Sequence, residues 1–152
     1  MTQPAFSTKT HFVVVVKAAD LLQLTEENQT AIMNKINDGY AKNHAKFNTL
    51  EGNRIKDLEN FAGDSGFAGH LNESYMYLYA KKDSNLYKAL TKQADIKKET
   101  FDDYEIIWIT KDVDSEVVIT ENAIDGCVGF KPHHSYPDGK TIEPTCFVFF
   151  LP

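Results

Sequence analysis

The run His11-Phe12-Val13-Val14-Val15-Val16-Lys17 is β-branched and apolar at consecutive positions. It predicts a strand buried on both faces, central in a sheet. The period then changes. Ile32, Met33, Ile36, Tyr40 and Phe47 recur at helical spacing, Thr25 stands where an N-cap belongs, and Glu26 and Glu27 suit the positive end of the helix dipole. Asn37-Asp38-Gly39 is a turn signal inside that segment. The helix either tolerates Gly39, at about 1 kcal/mol relative to Ala, or breaks there. A shorter helix is expected over Asn53 to Phe61, with Ile55, Leu58 and Phe61 on one side. Ser74 to Lys81 alternates strictly: Tyr75, Tyr77 and Tyr79 point one way, Met76, Leu78 and Ala80 the other. Asp83 and Ser84 then offer an N-cap to a helix carrying Leu86, Leu90 and Ala94.

The last third reads as strands. Tyr104 to Lys111 and Glu116 to Glu121 are expected to form a hairpin across the polar link Asp112 to Ser115. Cys127 to Phe130 is a short strand, Pro132 to Pro144 a loop with Pro137-Asp138-Gly139 as turn chemistry, and Thr145 to Leu151 a closing strand. Strands around a helical middle argue one α+β domain over residues 1–152, a mostly antiparallel sheet with two or three helices packed on it. The first and last strands, both apolar throughout, are expected as neighbours near the sheet centre.

Composition narrows the function classes. The net charge is −6, which disfavours a basic nucleic-acid clamp, and the acidic excess is too dispersed for a DNA mimic. The basic residues include a single arginine, Arg54, and bidentate phosphate recognition usually falls to Arg. Met1 to Thr10 has no apolar signal-peptide core, and Phe12 to Val16 is far short of the ~20 residues a membrane helix needs. With only two cysteines, the expectation is a cytoplasmic protein with reduced thiols, without membrane or nucleic-acid partners.

Four residues near the C-terminus carry metal chemistry: Cys127, His133, His134 and Cys146. Thiolate and imidazole are the ligands zinc prefers, so zinc is the candidate cofactor. The spacing fits none of the standard zinc patterns, and adjacent histidines on an extended backbone point to opposite sides. Cys127 with His133 or His134 as base, oriented by Asp125 or Asp138, also has the parts of a thiol nucleophile. The segment Gly63-Asp64-Ser65-Gly66-Phe67-Ala68-Gly69-His70 resembles the nucleophile segment of trypsin-like proteases over four residues only, and the chain is too short for that double barrel. It reads as a turn using glycine for positive φ, with Asp64, Ser65 and His70 as polar contacts if the loop binds a ligand. Asp112-Val113-Asp114-Ser115-Glu116 lacks the glycine and the bidentate glutamate of a calcium loop, and reads as a charged turn. His11 and His44 show no evident partners.

No catalytic constellation is complete. Tyr75, Tyr77 and Tyr79, three phenols on one face of one strand, give an amphipathic surface with little entropy to lose on contact. The same row would equally serve as a half-buried sheet face under a helix. The sequence favours a non-enzymatic binding protein: an inhibitor, an immunity-type partner or a ligand-binding subunit, contacting a protein or a small ligand through the tyrosine face. The alternatives are a metal or thiol enzyme centred on Cys127, His133 and His134, and a structural subunit of a homo-oligomer.

Overall fold

The computed structural model describes residues 8–47, 53–134 and 142–150, with side chains over 8–41 and 53–132. The elements run β1 (His11–Lys17), α1 (Ala18–Leu21), α2 (Glu26–Phe47), α3 (Phe61–Ser65), β2 (Tyr75–Lys81), α4 (Asn85–Thr91), β3 (Lys97–Phe101), β4 (Tyr104–Ile109), a 3-10 turn (Glu121–Ala123), β5 (Ile124–His134) and β6 (Ile142–Phe150). The strands form one sheet in the order β3-β4-β1-β2-β5-β6. Among the described residues β1 and β4 pair in parallel and the other neighbours are antiparallel. The α+β class and the mostly antiparallel sheet follow the reading of the sequence.

The apolar run of β1 lands in the middle of the sheet, as its composition requires. Phe12, Val14 and Val16 are fully buried on one face, where Met76, Leu78, Ile107, Ile109 and Cys127 join them. All four helices send apolar residues into that layer: Leu21, Ile32 and Ile36, Phe61, and Leu86 with Leu90. Thr25 caps α2 as expected, its Oγ1 accepting from the Asn28 backbone N–H at 3.2 Å. The helix runs on through Gly39, because tertiary packing outweighs the propensity cost of one glycine. Ser84 caps α4 by accepting from Tyr87 N at 3.2 Å.

Three buried amides of α2 tie down irregular backbone. Asn28 Nδ2 donates to Val117 O (3.1 Å), and Ile119 N donates back to Asn28 Oδ1 (2.8 Å). Asn37 makes the same two-way contact with Ile55, at 2.9 and 2.8 Å. Gln29 Nε2 donates to Leu24 O at 2.8 Å. These contacts account for two departures from expectation. Residues 53–60 form turns rather than a helix, since Asn37 satisfies the buried backbone of Ile55 without one. Residues 116–120 form no strand; they cross back over the helix layer toward β5, with Val117 and Ile119 in the core and Asn28 supplying their partners.

The hairpin partner of β4 is therefore β3. Asp102 and Asp103 make the two-residue turn, with φ of 50° and 72°. Such turns need positive φ at both central positions, which aspartate tolerates. β3 gives no alternation because every one of its residues is exposed. Both ends of the expected 132–144 loop are paired as strand. Strand pairing reaches His134 and resumes at Ile142, with Pro132 opposite Pro144. β2 stops opposite Phe130, so Pro132 has no strand on that side to lose a bond to, and β6 is an edge strand. β6 pairs locally with β5 and stands at the sheet edge, not beside β1; a short connection favours its sequence neighbour.

Candidate functional site

The pleat that sends Phe12, Val14 and Val16 into the helix layer sends His11, Val13, Val15 and Lys17 to the other face. Register brings Tyr79, Tyr77 and Tyr75 alongside Val13, Val15 and Lys17, Ile106 and Trp108 beside Val13 and Val15, and Val128 and Phe130 beside Tyr77 and Tyr75. The helices bury their apolar residues on the opposite side, so among the described residues this aromatic face has no helix over it. Val15 is fully buried even so, flanked by Tyr77 and Trp108.

The rings are fixed by contact with one another. Tyr77 meets Phe130 edge to face at 5.0 Å, Tyr75 meets Trp108 at 6.1 Å and 88°, and His11 lies flat on Tyr79 at 4.3 Å. Burial, and then the neighbouring Tyr75, raise the Tyr77 phenol above its ordinary pKa, so it stays a neutral hydrogen-bonding group.

One hollow opens on this face and another at the end of the sheet beside it. The first has a volume of about 380 Å³ and is walled by Val13, Tyr77, Tyr79, Tyr104, Val128 and Phe130. Gly126, opposite Tyr79, completes the lining. The second, about 610 Å³, lies beside Tyr75 and Trp108 at the carboxyl ends of β1 and β4, with Lys17, Lys97, Asp20, Asp95 and Asp112 around it.

His11 has the partners that the sequence hid. Its Nε2–H donates to Asp125 Oδ2 at 2.6 Å, and its Nδ1 lies 2.7 Å from Thr10 Oγ1. Lys81 Nζ stands 3.6 Å from the other Asp125 oxygen. Asp125 accepts only, so it fixes which ring nitrogen carries the proton, and Nδ1 faces the threonine hydroxyl. The trio sits at the Tyr79 end of the first hollow. Residues 114 apart in sequence cannot be linked by local spacing.

The remaining candidates are placed elsewhere. Asp64 and Ser65 belong to α3, on the helix side. Asp64 Oδ2 accepts from Lys56 N at 3.0 Å, and the buried Ser65 hydroxyl donates to Ala62 O at 3.2 Å. Gly66, with φ of 85°, ends α3 as a left-handed cap. His70 Nδ1 is 3.7 Å from Glu73. None of the three faces the tyrosine row.

Cys127 is buried in the helix layer, and burial pushes its thiol up to about 12. A thiol that stays protonated is a poor nucleophile. The strand also separates it from the histidines. His133 is six residues along β5, roughly 20 Å of extended backbone, too far for the two to share an ion. Cys146 pairs with Phe130, which lies on the face away from Cys127. The side chains of His133, His134 and Cys146 lie outside the described residues. Among the described residues no three His, Cys, Asp or Glu side chains form a metal-holding group, and no helix is long and apolar enough to cross a membrane.

Neither the curated proteins nor the solved structures give a match to this chain. A family model does: that of Sporulation protein RMD6 matches residues 1–152. Since the match runs the whole length of the chain, the protein belongs to the sporulation protein RMD6 family.

Proposed function

We propose that this protein is a non-enzymatic binding module that takes a small, largely apolar ligand in the hollow between Tyr77, Tyr79 and Phe130. The observation that carries the reading is the hollow of about 380 Å³ opposite Gly126, on an aromatic face that no described helix covers. Small-molecule sites are concave, mostly apolar and roughly 300–1,000 Å³ in volume. Rigid tyrosine and phenylalanine rings offer contact area at little entropic cost. The family description, sporulation protein, names a process and no chemistry, so the reading rests on geometry.

The test is a ligand-observed NMR screen of small aromatic and aliphatic compounds against the wild type and Gly126→Val. Residue 126 sits in a strand and lines the hollow, so a valine there is expected to take up part of its volume. Compounds are expected to bind the wild type and to lose at least tenfold in the variant, with the melting temperature held. Compounds that bind both proteins equally, or none that bind, overturn the reading. A partner protein that binds the wild type and not Tyr77→Ser, in a screen empty of small molecules, would move the occupant from ligand to protein.

A second reading rests on Thr10, His11 and Asp125, which line up hydroxyl, imidazole and carboxylate in the order of an acyl-transfer triad. In it His11 Nδ1 takes the Thr10 proton as Oγ1 attacks an acyl carbon, and returns it to the leaving alcohol; water then releases the acyl group. A fluorophosphonate that labels Thr10 in the wild type and not in His11→Ala would support it. An unlabelled wild type removes it.

A further inference from the structure

We infer that the second hollow, beside Tyr75 and Trp108, is a separate binding site for an organic ammonium cation. The first observation is an ammonium already in place. Lys97 Nζ lies 4.7 Å from the centroid of the Trp108 ring, at the wall of the hollow. Its register partner on β4 is Trp108 itself, so the edge strand delivers the cation to the ring. Tyr75 stands at 88° to Trp108 and makes a second aromatic wall. Two perpendicular π surfaces are the setting in which ammonium groups are held by ring quadrupoles.

The second observation is charge. Asp20, Asp95 and Asp112 face the hollow against Lys17 and Lys97. Lys97 is held lightly: its side chain is 64% exposed, and Glu99, on the same strand, is 3.8 Å away. Once a ligand cation displaces Lys97 from the ring, three carboxylates face one remaining lysine. The third observation is position. The hollow lies beyond the carboxyl ends of the adjacent strands β1 and β4, so it is open at the end of the sheet. A volume of about 610 Å³ is ample for a small amine.

The ligand chemistry is a positively charged nitrogen on an aliphatic body. A quaternary ammonium and a linear polyamine share it. The first would use the aromatic walls chiefly; the second would add the separated carboxylates. The site is distinct from the Tyr77 hollow and stands or falls on its own.

The chain has one tryptophan, so Trp108 emission reports this hollow without interference. Choline and spermidine are titrated separately into the full-length protein, with sodium chloride at matched ionic strength as the blank. A saturable change in emission is expected with at least one of them. Lys97→Ala removes the internal occupant, and affinity is expected to rise about threefold; Asp95→Asn with Asp112→Asn should lower it about tenfold for spermidine. The inference is overturned if both amines match the salt blank in the wild type and in Lys97→Ala, or if neither the lysine nor the aspartate change moves the affinity. Choline saturation without spermidine saturation assigns the site to quaternary ammonium, and the reverse to polyamines. Gly126→Val should leave the titration untouched, so failure here and failure of the Tyr77 hollow are told apart.

Discussion

Removing one side-chain amide from the second helix should unlock a crossover far away in sequence. Asn28 is 3% exposed and holds both Val117 O and Ile119 N. Asn28→Ala leaves a buried carbonyl and a buried N–H without partners, each worth about 1–3 kcal/mol. Alanine returns roughly 0.5 kcal/mol of helix propensity. The net expectation is a loss of about 2–4 kcal/mol, or about 5–12 °C in melting temperature for a chain of this size. Urea unfolding followed by circular dichroism measures the loss, and amide exchange at Ile119 should speed up well before the core strands open. Asn34→Ala, on the same helix with a rim contact to Glu121 at 3.3 Å, is the control and should stay within about 0.5 kcal/mol. A loss below about 1 kcal/mol, or one equal to the control, would refute the claim that the amide replaces a missing strand ladder.

Glu105 gives a pH signature. Lys98, then Tyr87 and Lys82, hold its carboxylate at 2.6, 2.7 and 3.2 Å, and its pKa falls to about 2 against an ordinary 4.5. Its folded pKa lies below its unfolded one, so the stabilisation is full above pH 4.5 and fades as pH drops toward about 2. Solvent at its rim trims the contribution to about 1–2 kcal/mol. Glu105→Gln should flatten unfolding free energy against pH across that window, and parallel curves would count against it. Gly66→Ala should destabilise by about 1 kcal/mol, since φ is 85°, while the Lys131 ammonium 2.7 Å from the new Cβ can swing aside. Gly63→Ala, helical with nothing within 4 Å, should stabilise by up to about 1 kcal/mol; equal shifts in thermal melts would refute both. Peptide mapping after iodoacetamide at pH 8 should find Cys127 unmodified in the native protein and modified in urea, and prompt native labelling would place the thiol outside the core.

Local chemistry was legible wherever one residue answers to its near neighbours. The apolar run of β1, the Thr25 and Ser84 caps and the strict alternation of β2 depend on periods of two or 3.6 and on backbone donors within one turn. β3 was not legible, because a strand exposed at every position needs no hydrophobic pattern. Residues 116–120 misled for the opposite reason: Val117 and Ile119 alternate like a strand, but a helix amide takes the place of the ladder.

The site divides the same way. By its alternation alone the sequence determined that β2 has a tyrosine face and an aliphatic face. Tertiary structure decided that the described helices pack on the aliphatic side, that a hollow lies beside Tyr79 and Gly126, and that His11 meets Asp125 and Trp108 meets Lys97 and Tyr75. A period-2 pattern separates two faces without ranking them for burial. Which face is covered, and which distant side chains share it, depends on strand order, and strand order depends on how crossovers close over the core rather than on any stretch of adjacent residues.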